Sequence, residues 1–367
     1  TWRPRLGVAW DLTGSGKSVL RASFGQFDVI EGTELAEAVN PNGLSTQNYR
    51  WTDTNGDGIP QQSEWLSPVN LISQSGGNVT TVDPHLKRPY SNEVNVGYEQ
   101  QIFGDMKVGV NYYYRTTKNL YATRNLAVPS SAYTATTTDA AGAPIVNGLT
   151  GQTMTLYNLD PAYIGLAQYQ VVNIPELNHN HYNGIEFTAT KRMSKNWQLL
   201  AGYTIQQKKG TYRRGLTDDF NNPNNEINRQ NGILDYDATQ VFKIQGSYIL
   251  PWSINIASTF QHFTGYPVDP TYGPIQESFT LAQGPVNVIL QPLGKMRLPN
   301  VNIWNLRLSR PTRIAERFNL EPIVDLFNVL NANTVTGETP TFGPNFLRPT
   351  DQMLNPFIAR FGLRFSF

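Results

Sequence analysis

Twelve residues near the start of this 367-residue chain carry its most specific chemical pattern. The segment DTNGDGIPQQSE, residues 53–64, has the spacing of a calcium-binding loop, in which oxygen ligands occupy positions 1, 3, 5, 7, 9 and 12 and a glycine at position 6 permits a sharp turn. The predicted ligands are the side chains of Asp53, Asn55, Asp57, Gln61 and Glu64 and the carbonyl of Ile59. The sequence therefore predicts a structural Ca²⁺ site, and an Asx-rich turn without a metal is the alternative.

The surroundings of this motif argue against a complete helix-loop-helix calcium module. Pro60 follows the seventh position, and the flanking residues NYRW and WLSPVN do not have helical character. A calcium-stabilised surface loop needs no flanking helices. We therefore expect the metal to order a loop, with no catalytic or sensing role.

Aromatic side chains form a second candidate site. Trp51 and Trp65 flank the calcium motif, and Tyr266 and Tyr272 lie in a later polar segment. Such rings can stack on a sugar or peptide ligand, although they also pack loops or mark a membrane interface. No Ser-His-Asp set, GxSxG elbow or HExxH motif is visible, so we do not expect an enzyme.

Composition excludes several classes of protein. The 29 basic and 28 acidic residues are dispersed and give a net charge of +1, so no nucleic-acid partner is expected. No run approaches the ~18 apolar residues of a membrane-spanning helix. Cysteine is absent, which excludes disulfides and thiolate metal sites. Any insertion into a membrane must therefore use strands.

The elements that would position these sites have the period of β-strands. The last eleven residues, FIARFGLRFSF, place an apolar residue at every odd number from Phe357 to Phe367, while Arg360 and Arg364 lie on the other face. About eleven such strands occur along the chain, most of them in hairpins. We expect the odd-numbered residues of the last strand to face lipid and the two arginines to face a wet lumen.

The connections between these strands alternate strictly between short and long. The long links cover roughly 28–89, 122–181, 209–239, 263–300 and 331–356. This asymmetry is typical of outer-membrane barrels, which have tight periplasmic turns and long extracellular loops. We therefore predict an all-β fold, an antiparallel transmembrane β-barrel that forms one domain over residues 1–367, with the calcium motif in the long extracellular loop 28–89. A soluble all-β protein is the alternative.

Five segments add a resemblance to a known family. They are DPHLKRPYSNEVNVGYEQ, YNGIEFTATKR followed by NWQLLAGYT, LPNVNIWNLRLSR, DLFNVLNANTV and the terminal NPFIARFGLRFSF. In this order they resemble the C-terminal barrel region of TonB-dependent outer-membrane receptors, particularly the Oar-like group with carboxypeptidase-regulatory-like N-terminal domains. The resemblance implies a plugged barrel of about twenty-two strands that imports a scarce solute with energy from the TonB complex. We expect this chain to be the C-terminal half of such a barrel, without the plug and N-terminal domains, so that the TonB complex would act through the missing N-terminal region.

Three functions follow from these patterns. The first is the barrel part of a TonB-linked receptor in the Gram-negative outer membrane, with lipid, the TonB complex and an extracellular small-molecule, peptide or glycan ligand as partners. The second is a structural or adhesive outer-membrane protein. The third is a soluble, calcium-stabilised β-rich binding module. The identity of the ligand lies in loop geometry that spacing does not determine.

Overall fold

A single antiparallel sheet of long strands dominates the computed structural model, which describes residues 2–29, 32–76, 79–103, 105–211, 216, 219–272, 281–284, 286–315, 318–350 and 354–367. Apart from the two edge strands, each long strand pairs with the long strand before it and the one after it in the chain, so the sheet is a simple meander. Its eleven long strands are β1 Arg5–Asp11, β2 Ser18–Asp28, β3 Tyr90–Phe103, β4 Met106–Lys118, β5 His181–Ser194, β6 Trp197–Gly210, β7 Gln240–Ile249, β8 Asn255–Phe263, β9 Val301–Ser309, β10 Phe318–Phe327 and β11 Ile358–Ser366. Two short strands, Thr312–Ala315 and Gly232–Ile233, pair with β10 and β6. The prediction of about eleven antiparallel strands is confirmed.

Cross-strand register gives the sheet one apolar and one polar face. One row of directly opposed residues on the apolar face runs across β1 to β6. Its members are Val8, Ala22, Val96, Tyr112, Ile185 and Ile205. Phe361 lies on the same face at the other end of the sheet and is 79% exposed. Because a soluble sheet would cover such rings, this exposed face has the character of a surface that contacts lipid.

The polar face carries ionic ladders between neighbouring strands. Asp325 on β10 lies directly opposite Arg307 on β9 and Arg360 on β11. Its carboxylate accepts from Arg307 Nε at 2.5 Å and from Arg360 Nη2 at 2.6 Å. Arg360 and Arg364 therefore lie on the face opposite Phe361, as the alternation predicts. Because each buried carboxylate oxygen has a cationic donor, the ladder satisfies charges that a sandwich core would leave unpaired.

The two edges of the sheet have the same direction. Within the described part of the chain, β1 pairs only with β2 and β11 pairs only with β10. Since an odd number of antiparallel strands separates them, β1 and β11 run parallel to each other. The sheet described here is open.

The long loops contain short regular elements of their own, which strand alternation does not predict. The helices are Glu34–Ala38 and Gln62–Trp65, with 3-10 turns at Pro68–Asn70, Ser130–Ala132, Pro161–Tyr163, Pro175–His179 and Pro223–Glu226, and a further 3-10 turn at Pro251–Ser253 in a short connection. The strands are Thr46–Tyr49, Leu71–Ser75, Thr80–Val82, Tyr121–Asn125, Tyr133–Thr136, Leu156–Leu159, Tyr169–Asn173, Pro267–Val268 and Met296–Arg297. No helix among the described residues has the length and apolar character required to cross a membrane.

The second to fifth long loops (119–180, 211–239, 264–300 and 328–357) pack together, and we call them the loop assembly. Its main apolar cluster contains Ile145, Leu156, Tyr272, Leu281, Val286, Val288 and Leu290, with Phe342 against it. Asparagine side chains join the loops: Asn147 Nδ2 donates to the Leu290 carbonyl at 2.7 Å, and Asn224 Nδ2 donates to the Tyr157 carbonyl at 2.8 Å. These bonds satisfy backbone groups that burial would otherwise leave unpaired. The loops therefore form one folded layer at the end of the sheet.

The outer part of the first long loop, residues 32–76, is built differently, and we call it the first-loop lobe. Of its described residues, Glu64 alone is buried. The lobe contains the hairpin of Thr46–Tyr49 with Leu71–Ser75 and the helical turn Gln62–Trp65. Gln74 Nε2 connects it to the loop assembly by donating to the Gly165 carbonyl at 3.4 Å. The lobe therefore lacks an apolar core.

Candidate functional site

The predicted calcium ligands lie on one tight loop, as their spacing requires. The Asp53 carboxylate accepts from the backbone of Gly56 at 2.6 Å and of Gly58 at 2.9 Å. Both glycines have positive φ, +77° and +72°, which a side chain would disfavour. These two bonds close the loop, so it has the shape of the motif through hydrogen bonds alone.

The remaining predicted side-chain ligands bond to one another. Asp57 Oδ1 accepts from the Ile59 backbone at 2.8 Å, while Asp57 Oδ2 accepts from Gln61 Nε2 at 2.5 Å. Asn55 Nδ2 donates to Gln61 Oε1 at 3.1 Å. In the described part of the chain, no three residues among His, Cys, Asp and Glu are grouped so as to hold a metal ion. Calcium binding by this loop remains a prediction.

Glu64 is the centre of the first-loop lobe. Its Oε1 accepts from the Thr54 backbone at 2.8 Å and from Thr54 Oγ1 at 2.7 Å, and its Oε2 accepts from Trp51 Nε1 at 2.9 Å and from the Gln61 backbone at 3.3 Å. These donors, Trp51 first and Thr54 next, lower the pKa of Glu64 from 4.5 to about 2. Because each oxygen already accepts two hydrogen bonds, bidentate binding of Ca²⁺ would require some of these donors to be displaced.

Glu64 also belongs to a helical turn that sequence analysis did not predict. It caps Gln62–Trp65 through the Gln61 backbone, in a capping box with the Gln61 side chain. The flank NYRW is not helical, as expected, whereas the other flank contributes Trp65 to this turn and forms the 3-10 turn Pro68–Asn70, which were not expected. The physical reason is that a reciprocal cap stabilises a turn too short to show helical periodicity.

The four candidate ligand-binding aromatics lie in three different places. Trp51 donates to Glu64, and Trp65 packs on Tyr49 with ring centroids 5.2 Å apart, so both contribute to the lobe. Tyr272 is 7% exposed in the core of the loop assembly. Tyr266 alone lines an open cleft. Three of the four rings, those of Trp51, Trp65 and Tyr272, therefore make contacts within the loops themselves.

The cleft beside Tyr266 lies between the third, fourth and fifth long loops and has a volume of about 460 Å³. The rings of Tyr236 and Tyr266 meet edge to face at one side, with centroids 5.8 Å apart and planes at 74°. Asp235, Asp269 and Glu338 contribute carboxylates to the lining. The volume is that of a site for a small organic molecule.

Arg297 binds the backbone next to both tyrosines. Its Nη1 donates to the Asp237 carbonyl at 2.6 Å and to the Gly265 carbonyl at 3.0 Å, and its Nη2 lies 3.3 Å from Asp237 Oδ1. Asp237 follows Tyr236 and Gly265 precedes Tyr266 in the chain, so a single guanidinium ties the third loop to the fourth at this pair of rings. Fixed aromatic rings at the mouth of a cleft favour ligand binding because little side-chain entropy is lost.

A larger cavity, about 770 Å³, lies along the polar face of the sheet between β1 and β6. Two pairs of its charged and polar groups are joined: Arg115 Nε lies 2.8 Å from Glu93, and the Tyr113 hydroxyl donates to Glu186 at 3.0 Å. The loop cleft differs, because within the described residues Asp235 and Glu338 accept no hydrogen bond and form no ion pair through their side chains. The loop cleft is therefore the stronger candidate for a ligand.

Sequence analysis missed Asp235, Tyr236, Asp269 and Glu338. They come from three loops, and no local spacing connects them. One signal was present: in the segment ILDYDAT, residues 233–239, an aromatic residue stands between two aspartates in a polar loop. That pattern indicates an exposed ring in an acidic setting, although it does not identify the partners from other loops.

Comparison with known proteins places this geometry in a family. Residues 1–268 match the model of an outer membrane beta barrel domain. No curated protein matches the chain. Among solved structures, the ferric enterobactin receptor PfeA from Pseudomonas aeruginosa aligns with a TM-score of 0.53 and 14% identity, over 100% of this chain and 40% of that one.

Two further structures give a similar result. The ferripyoverdine receptor of the outer membrane of Pseudomonas aeruginosa aligns with a TM-score of 0.51 and 12% identity, over 100% of this chain and 33% of that one. The outer membrane transporter YddB from Escherichia coli aligns with a TM-score of 0.51 and 13% identity, over 99% of this chain and 40% of that one. The chain thus spans between a third and two fifths of the length of these receptors, and the likeness shows a common fold.

The family match also decides between the membrane and soluble alternatives. It covers most of the chain, including β1 to β8, and the exposed apolar face continues across β9 to β11. The soluble binding module is therefore excluded. The chain belongs to the outer membrane β-barrel domain family and resides in the outer membrane of a Gram-negative cell.

Proposed function

We propose that this chain is the ligand-binding barrel region of a TonB-dependent receptor that imports a solute across the outer membrane. The observation that carries the proposal is the loop assembly, which is folded around its own apolar core and presents a cleft of ligand size. Loops that serve only to connect strands seldom reach this length or pack this closely. The solved structures with the same fold are named as receptors and a transporter, which supports the same role here.

The polar face of the sheet supports passage of a solute. Its ionic ladders place charges of both signs along one surface, which suits a hydrated lumen. In this proposal the TonB complex supplies the energy for import, and the resemblance of the five segments supports membership of the Oar-like group. The apolar face contacts outer-membrane lipid.

We also propose that Ca²⁺ binds the first-loop lobe through Asp53, Asn55, Asp57, Gln61, Glu64 and the Ile59 carbonyl. Oxygen atoms are the ligands that a hard cation requires, and the six groups lie on one loop. The ion would stabilise a lobe that has no apolar core. Its role would be structural.

Import is tested with the full-length gene and without knowing the solute. Cells with and without the gene are grown in the same medium, and mass spectrometry compares solute depletion before and after a protonophore dissipates the inner-membrane potential. We expect one or more solutes to be depleted only by energised cells that carry the gene. Equal depletion by both strains contradicts import. If cells without the gene deplete solutes normally but attach less well to surfaces, the structural or adhesive alternative is favoured.

A further inference from the structure

The loop cleft has a chemical character that the proposed import function does not specify. Among its described lining residues are three carboxylates, of Asp235, Asp269 and Glu338, and no Lys, Arg or His. Salt bridges elsewhere in the loops, such as Arg297 with Asp237, lie outside this lining. A cleft with several acids and no base among its described lining residues has a negative potential that attracts cations and repels anions, because the nearby Arg297 is already paired with Asp237.

The acids are available to a ligand. Asp235 and Glu338 are half-buried, and in the described structure neither side chain has a hydrogen bond or ion pair. Asp269 accepts only a long hydrogen bond from the Gly294 backbone, at 3.3 Å. Burial raises the pKa of Asp269, and the charge of Asp235 adds to that increase.

The aromatic pair supplies the second part of the site. Tyr236 is 82% exposed and has φ of +58°, a conformation that favours glycine. Its ring packs against Tyr266 at the mouth of the cleft, and Arg297 fixes the backbone beside both residues. An exposed ring held in this way has no role in the core. Tyrosine faces attract ammonium and guanidinium groups most strongly where carboxylates are close.

We infer that this cleft binds a small organic cation, a solute with a guanidinium or ammonium group, between the two tyrosines and the three carboxylates. The inference rests on the proposed function, since it names the class of solute that the receptor would take. A planar guanidinium can stack on a tyrosine face and also donate to carboxylates, so it uses both parts of the site. A volume of about 460 Å³ accommodates a molecule the size of an amino-acid amide.

The probe is Nα-acetyl-L-arginine amide, called arginine amide below, and its uncharged match in shape is Nα-acetyl-L-citrulline amide, called citrulline amide. Binding to the detergent-solubilised full-length protein is measured by calorimetry at neutral pH and low salt. We expect binding of arginine amide, at least about tenfold weaker binding of citrulline amide, and weakening with added sodium chloride because salt screens charges. Equal binding of the two amides, or no binding of either, overturns the inference. Binding of magnesium chloride without binding of arginine amide also overturns it.

Three variants locate the site. Asp235→Asn and Glu338→Gln remove one charge each with little change in shape, and Tyr236→Gly removes a ring at a φ that glycine tolerates. Each should weaken binding of arginine amide several-fold, whereas Asp139→Asn, in an exposed turn of the second loop, should not. Protease resistance of the loop assembly confirms that each variant is folded. Unchanged binding in all three folded cleft variants overturns the inference.

The two proposals fail in different ways. If the cleft variants deplete solutes from the medium as the wild type does, import stands and the cation cleft is wrong. If the purified protein binds arginine amide while energised cells deplete no solute, the cleft stands and import is wrong.

Discussion

The first-loop lobe and the loop assembly are both ordered, but by different interactions. Both are polar segments that extend from one end of an antiparallel sheet. The loop assembly has an apolar core from several loops, whereas the single buried side chain among the described residues of the lobe is the carboxylate of Glu64. The difference shows that a long loop can be ordered by shared apolar burial or by a hydrogen-bonded charge, and the two should respond differently to mutation, pH and metal.

The largest expected effect is in the loop assembly. Leu156 is fully buried in its main cluster, so Leu156→Ala should destabilise the assembly by about 2–5 kcal/mol through lost burial and a residual cavity. Hydrogen exchange read by mass spectrometry should show faster exchange in the second to fourth loops. Leu44→Ala, at a lobe side chain that is 91% exposed, is the control and should change stability by less than about 0.5 kcal/mol. Equal effects of the two substitutions would mean that the apolar cluster does not order the loops.

The next effect is confined to the lobe. Glu64→Ala leaves the Trp51 indole and the Thr54 donors without their acceptor, so residues 51–65 should exchange and be cleaved by protease much faster than in the wild type. The loop assembly should be unaffected. This difference should persist in a calcium chelator, because it arises from hydrogen bonds. If wild type and variant behave alike in chelator and differ only in calcium, Glu64 acts as a metal ligand and not as the centre of the lobe.

A smaller effect is expected from pH, with opposite signs in the two regions. Hydrogen bonds lower the pKa of Glu64 from 4.5 to about 2, so its contribution to stability is present above pH 4.5 and is lost as the pH falls toward 2. Burial raises the pKa of Asp219 in the loop assembly, so its neutral form is favoured there and acidification adds stability. Exchange rates corrected for their intrinsic pH dependence should therefore rise in the lobe first. Glu64→Gln at pH 7 should resemble the acidified wild-type lobe, and a loop assembly that opens before the lobe would contradict this assignment.

The smallest expected effect is that of calcium. If the lobe binds Ca²⁺, adding it should slow exchange in residues 53–64 and leave the loop assembly unchanged. Asp53→Asn should reduce this protection, and Asp139→Asn, whose carboxylate caps a turn of the second loop, is the matched control. Identical exchange of the lobe in calcium and in chelator would reject the metal and leave the Asx turns as the full explanation of the motif.

The strands of the barrel could be predicted from the sequence because alternation is a local signal. Alternation in residues such as Val8, Val96 and Phe361 places each strand by itself, and the hairpins follow from short turns between strands. The spacing of the calcium motif also predicted its turn. The burial of Glu64 could not be predicted in this way, because it depends on Trp51, thirteen residues away. The loop cleft was beyond sequence reasoning, since Tyr236 and Tyr266 meet only after two loops fold on each other.

The asparagine bonds of the loop assembly also have a consequence for the order of folding. Asn147 reaches the Leu290 carbonyl across 143 residues, and the Asn158 side chain accepts from the backbone of Ala282 across 124. Closing segments of this length carries an entropic penalty that local contacts do not, so such bonds form slowly unless the chain between them is already ordered. Pairing of β4 with β5, of β6 with β7 and of β8 with β9 brings the ends of the second, third and fourth loops together first. The assembly should therefore be the last part to become native, and the protein should acquire ligand affinity only after its strands are in place in the membrane.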